Sequence, residues 1–253
     1  MIATPLSFSP SRRSGMNNTV VSRLGAEALG TLFFVFLGAM ATVAATQMAE
    51  GQVVGVDALT TALGWALALA VAVWIFSAGG GHLNPFVTIG LALRGRFGWA
   101  AVPGQVVAQL VGGLLGALLA WWLYSSSLGD AAAAEAVTHT TAEGNELLGA
   151  LAAEALLTLV LLAVVFQLGG RGGWRYGLGY GLTYGLGVLT IGALTGGSLN
   201  FARTFGAELS ASIAGGGLAD WGNIWVYLVG PGVGVVLAWL AYPLVSSEPS
   251  SEA

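Results

Sequence analysis

Two short stretches hold most of the polar chemistry in this chain. Gly79-Gly80-Gly81-His82-Leu83-Asn84-Pro85 and Thr195-Gly196-Gly197-Ser198-Leu199-Asn200-Phe201 each end a glycine-rich turn on an asparagine, ahead of a short apolar segment. Asparagine is a good helix N-cap and proline suits the first helical position, so capping alone explains a single such pair. Arg203 follows the second asparagine, and Glu27 and Glu154 recur in the matched segments Ala26-Glu27-Ala28-Leu29-Gly30-Thr31-Leu32 and Ala153-Glu154-Ala155-Leu156-Leu157-Thr158-Leu159. Cysteine is absent and histidine occurs only at positions 82 and 139, which removes disulfides, thiol catalysis and most metal sites. With no nucleophile elbow and no His/Asp/Glu cluster, no catalytic residue, metal or cofactor is expected. His139 lies in a polar loop with no specific role.

The elements that hold these residues are membrane helices. Of 253 residues 56% are hydrophobic and only 8% charged, against about 25% charged in an ordinary soluble domain. A span needs roughly 20 predominantly apolar residues to cross the hydrocarbon core, and six stretches meet that length, 24–46, 57–77, 99–124, 146–168, 175–194 and 222–245. Glycines spaced by four, at 112 and 116, at 177, 181 and 185, and at 230 and 234, mark close helix crossings. Arginines 12, 13, 23, 94, 96, 171 and 175 fall on one side of a six-span arrangement. The positive-inside rule makes that side, and both termini, cytoplasmic. Arg203 alone lies on the other side and needs a specific reason, because a lone cation in so apolar a setting is expensive. The net charge of −4 and the absence of any basic run beyond Arg12-Arg13 give no footing for a nucleic-acid partner.

The matched glutamate segments indicate a duplication with three spans per half, so the second half must sit upside down relative to the first. The polar, alanine-rich stretch 125–146 is the connecting loop. This gives a cytoplasmic tail over 1–22, one domain over 23–246 with repeats at about 23–124 and 147–246, and a cytoplasmic tail over 247–253. The segments after the two asparagines, 86–93 and 201–213, are too short to span. Non-helical backbone at membrane depth is tolerated only where it is buried in protein or lines a wet cavity, so two half-helices entering from opposite faces should meet near the midplane and line a pore.

His82-Leu83-Asn84-Pro85 with Val87-Thr88, and Asn200 with Ala202-Arg203-Thr204-Phe205-Gly206, resemble the paired Asn-Pro-Ala loops of the aquaporin and aquaglyceroporin family. The resemblance covers about residues 20–245 and extends to Glu27, Glu154, Gln109 and Gly230-Pro231. It implies an all-α integral membrane fold with six transmembrane helices and two re-entrant half-helices in an inverted repeat. It also implies a homotetramer in the cell membrane, one pore per subunit. Each half-helix start carries about +0.5 of an elementary charge, and the Asn84 and Asn200 amides should turn an N–H toward a passing oxygen while the positive ends repel protons and cations. Glu27, Glu154 and His82 are read as supports for the loops.

This chain departs from the family pattern at both signatures, with Phe86 in place of the first alanine and Phe201 in place of the second proline. The two rings are expected to pack against each other or a shared neighbour at the midplane and brace the half-helices. Family spacing places a selectivity filter at Trp65, Val188, Gly197 and Arg203, with Gly64 replacing Trp65 if no gap precedes Gly79. One aromatic face, a small apolar wall and a cation suit a molecule with a carbon side and a hydroxyl side. The expected function is a passive channel for water with additional passage of glycerol or other small neutral solutes. The alternative is an ion- or proton-coupled secondary transporter using Glu27 and Glu154.

Overall fold

The computed structural model describes residues 20–49, 56–128, 146–169, 173–214, 219 and 221–246. Most of both tails, most of the 125–146 connection, His139 and arginines 12, 13 and 171 lie outside the described residues. Among the described residues eight α-helices follow in order: α1 Val20–Ala49, α2 Val56–Phe76, α3 Pro85–Leu93, α4 Val102–Leu128, α5 Leu147–Leu168, α6 Gly173–Thr195, α7 Phe201–Ala214 and α8 Val226–Val245. Six are long and apolar enough to cross a membrane, and α3 and α7 are the two short ones. The last stretch opens as a 3-10 turn, Trp221–Asn223, before α8 begins. At 1.5 Å per residue the 30-residue α1 is about 45 Å long, longer than a hydrocarbon core of about 30 Å.

Packing repeats with the sequence. α1 packs on α2 and α4, and α5 packs on α6 and α8. The half-helix α7 lies on α4 and α3 lies on α8, while α2 meets α6 across the middle. Exchanging α1–α4 for α5–α8 reproduces this set of neighbours, which is the inverted repeat in contact form. The outer faces are apolar and exposed, as at Leu63, Leu67, Leu182 and Leu186, and suit lipid.

Glycine permits the close approaches. A Cβ added at Gly112 would lie 2.2 Å from the Ala28 carbonyl oxygen, and one at Gly234 would lie 2.4 Å from that of Ala155. These are equivalent crossings, each against the carbonyl one residue past the repeated glutamate. Gly181 stands 2.3 Å from the Ala66 oxygen by the same measure, pinning α6 to α2. A further crossing docks α7 on α4, where a Cβ added at Gly206 would lie 2.4 Å from the Gly113 carbonyl carbon. Lipid offers no hydrophobic drive for helix association, so such backbone contact carries the packing.

Gly181→Ala should therefore lower the thermal midpoint of the detergent-solubilised protein, since overpacking of this kind costs about 1–3 kcal/mol. Gly232→Ala, where a Cβ meets nothing within 4 Å, is the control and should leave the midpoint in place. Equal midpoints for the two variants would show that the α2–α6 crossing tolerates a side chain.

A candidate pore where the half-helices meet

Asn84 caps α3 in extended conformation (φ −159°, ψ 125°), with Pro85 at the first helical position. Its Oδ1 accepts from the Phe86 N–H at 2.9 Å. Asn200 does the same for α7, accepting from Ala202 N–H at 3.0 Å and Arg203 N–H at 3.4 Å. With both oxygens committed to caps, the amide nitrogens cross over. Asn84 Nδ2 donates to the Leu199 carbonyl and Asn200 Nδ2 donates to the Leu83 carbonyl, each at 2.8 Å. Leu83 and Leu199 both have φ of 50°, a conformation that is an outlier for bulky residues. It costs on the order of 1–3 kcal/mol and persists only where the surroundings enforce it.

The enforcement comes from buried carboxylates. Glu27 accepts from the His82 and Leu83 N–H groups at 2.8 and 2.9 Å, one on each oxygen. Glu154 accepts from the Ser198 and Leu199 N–H groups at 2.9 and 2.8 Å in the same way. Gln109 Nε2 completes the first carboxylate at 2.6 Å, and the Thr195 hydroxyl completes the second at 2.7 Å. His82 and Ser198 occupy equivalent positions. The His82 ring bonds the Thr88 hydroxyl at 3.1 Å, and the Ser198 hydroxyl bonds that of Thr204. His82 thus does in the first loop what a serine does in the second, and its ring also lies edge-on to Phe97 at 4.9 Å.

Arg203, on the first turn of α7, is fully buried. Its Nη1 donates to the Gly197 carbonyl at 2.7 Å and to the Tyr184 hydroxyl at 2.8 Å, and its Nη2 donates to the Gly196 carbonyl at 3.2 Å. Trp65 covers it, with the guanidinium carbon 3.8 Å from the ring centroid. Gly64 instead meets Ala41 of α1, where a Cβ would lie 2.1 Å away, so the aromatic residue and not the glycine stands beside the arginine. Val188 lies behind Gly197. The latter has φ of +60°, and a Cβ on it would fall 2.6 Å from Val188 Cα. Gly197 therefore offers its carbonyl, and a side chain placed there would displace the loop before it narrowed any opening. Phe86 is buried in the central apolar cluster. Phe201 packs against the same cluster and lies 5.9 Å from the ring of Phe205.

Two tyrosines were not among the residues singled out from sequence. The Tyr180 hydroxyl donates to the His82 carbonyl at 2.8 Å, and that of Tyr184 donates to the Ser198 carbonyl at 2.6 Å. Their signal was present in the spacing, since Tyr176, Tyr180 and Tyr184 recur every four residues directly beside Gly177, Gly181 and Gly185.

Six membrane-length helices around two half-helices whose capping asparagines bond reciprocally across the centre define a membrane channel. The profile of the family described as Major intrinsic protein matches residues 16–242. The chain is 33% identical over 235 residues to the glycerol uptake facilitator protein of Streptococcus pneumoniae, covering 89% of this chain and 100% of that protein. It is 37% identical over 253 residues to the probable aquaporin AqpM of Archaeoglobus fulgidus, covering 92% and 100%. The X-ray structure of the aquaglyceroporin from Plasmodium falciparum matches with a TM-score of 0.79 at 29% identity, covering 90% of this chain and 97% of that one. The chain belongs to the major intrinsic protein family, and it is an integral membrane channel and not an enzyme.

Glu154→Ala would strand the Ser198 and Leu199 N–H groups, each at about 1–3 kcal/mol. The expected outcome is a loss of amide hydrogen-exchange protection over residues 196–200 together with a lower thermal midpoint. Protection equal to that of the parent would show that the carboxylate does not hold the loop.

Proposed function

We propose that this channel is a passive pore for water and small neutral solutes that excludes protons and ions. The observation that carries this reading is the reciprocal pair of asparagines, each at the positive end of a half-helix. An amide nitrogen has two hydrogens, and after one is given to the facing loop the second is available to an oxygen at the same level. The two helix ends together make that level unfavourable for a cation. Arg203, with Trp65, Val188 and the Gly197 carbonyl, is the filter in this reading, and its fixed charge is a second barrier to cations. Asn84, Asn200, Phe86 and Phe201 form the midplane.

Arg23, Arg94 and Arg96 gather at one end around Phe97 and Tyr242. The positive-inside rule assigns that end to the cytoplasm, with both termini inside and Arg203 toward the exterior. Residues 23–246 act as one domain in which neither repeat stands alone, and the family resemblance supports a homotetramer in the cell membrane. The coupled-transporter reading requires Glu27 and Glu154 to exchange protons or ions. Both carboxylates are occupied by backbone N–H groups whose release would unfold the loops, which favours the passive reading.

In stopped-flow light scattering, proteoliposomes should shrink in a sucrose gradient faster than protein-free vesicles, at a rate indifferent to an imposed proton or sodium gradient. No acceleration would overturn the channel reading, and a gradient-dependent rate would favour the transporter. Arg203→Val should raise proton leak reported by an entrapped pH dye, and an unchanged leak would remove the arginine from the barrier.

A further inference from the structure

We propose that Tyr184, one helical turn inward from Val188 on α6, sets the size limit of the pore, passing water and the smallest neutral solutes and holding back a three-carbon polyol. The proposal rests on the neutral-solute channel reading above and names a residue that decides which solutes pass. The region around Val188 is roomy. A cavity of about 350 Å³, lined in part by Thr42, Thr46, Thr61, Val188 and Gly196, lies on that side, whereas a water molecule occupies about 30 Å³ of liquid. Room on the Val188 side does not by itself hold back a polyol, and the tighter packing lies deeper, around Tyr184.

One turn deeper the space is closed. Phe34 and Tyr184 are 0% exposed at this level, and the filter residues Arg203 and Trp65 that pack directly on Tyr184 are 0% and 1% exposed. The Tyr184 ring fills this level, edge-on to Phe34 at 5.1 Å and tilted against Trp65 at 6.1 Å. Its hydroxyl stands between the two polar partners a hydroxylated solute would use, accepting from Arg203 Nη1 and donating to the Ser198 carbonyl. Nη1 has its two hydrogens taken, by Tyr184 and by Gly197.

The other walls have less freedom to yield. Trp65 lies flat on Gly38, where a Cβ would fall 2.1 Å from its ring, and its Nε1 donates to Thr42 at 3.0 Å. Arg203 is tied to loop carbonyls. α6 cannot withdraw the tyrosine, because Gly181 and Gly185 press the helix against the α2 backbone. A water molecule can trade hydrogen bonds one at a time with the Tyr184 hydroxyl, Arg203 and Ser198. A three-carbon polyol needs the volume of the ring.

The test compares glycerol and water permeability of proteoliposomes holding wild type, Tyr184→Val and Tyr184→Phe, by light scattering in glycerol and sucrose gradients. The readout is the ratio of the two permeabilities, which loss of folded protein does not move. Removing the ring in Tyr184→Val should raise the ratio by about 10-fold or more, the scale on which a pocket discriminates small changes in ligand size. Tyr184→Phe keeps the ring, and its ratio should stay on the wild-type side of that gap. If the valine variant is not monodisperse in detergent, Tyr184→Leu is read by the same criterion. An unmoved ratio in a water-conducting ring-removal variant overturns the size limit alone, as does a wild-type ratio already as high as the variant's. Absence of water flux in wild type overturns the channel reading and this proposal with it.

Discussion

Everything at the centre of this molecule depends on finding acceptors for a few backbone N–H groups that sit outside any helix at membrane depth. Water is not available there to satisfy them, and each orphan is costly. Glu27 and Glu154 meet the need by accepting two consecutive N–H groups each, one per carboxylate oxygen. That bidentate grip holds Leu83 and Leu199 in left-handed conformation. The turned carbonyls then receive the amides of the opposite asparagines. Carboxylate, strained leucine and crossing amide form one chain of cause in each half, and the two chains interlock.

Helix α6 shows how one element serves packing and site at once. Neighbouring residues on a helix point about 100° apart, so its glycines and tyrosines form adjacent stripes. The glycines at 181 and 185 let it touch the α2 backbone. That close approach carries the tyrosines at 180 and 184 far enough inward for their hydroxyls to reach the His82 and Ser198 carbonyls. A helix held even a methyl group further from α2 would leave those carbonyls to other partners.

Much of the fold was legible in the sequence because its signals are long or repeated. Six apolar stretches of spanning length and two glycine-asparagine turns at matching places require the helices and half-helices that are seen, and the spaced glycines lie at crossings. What the sequence left open or missed depends on direction. Whether Trp65 or Gly64 stands beside Arg203 turns on a one-residue loop gap, which rotates a helix face by about 100°. That Gly197 presents a carbonyl and no room for a side chain follows from its φ of +60° and the nearby Val188 backbone, neither of which composition reveals. The tyrosine stripe was visible as spacing, yet its meaning required knowing on which side of α6 the loops lie. The exchange of alanine and proline for Phe86 and Phe201 pointed to compensation; Phe86 lies within the large central cluster, while Phe201 packs on that cluster from outside and beside Phe205.

The crossing amides have a consequence for biogenesis. Each joins residues 115 or 117 positions apart in the chain. At about 5–20 residues per second of synthesis, the first loop is made roughly 6–23 s before the asparagine that completes it exists. Through that interval Glu27 can already hold the loop's N–H groups, but the Leu83 carbonyl has no native donor. The nascent first half is thus a partly assembled intermediate that must be kept from lipid until its inverted twin arrives. The locking step of assembly is delayed to late translation by the connectivity of the chain.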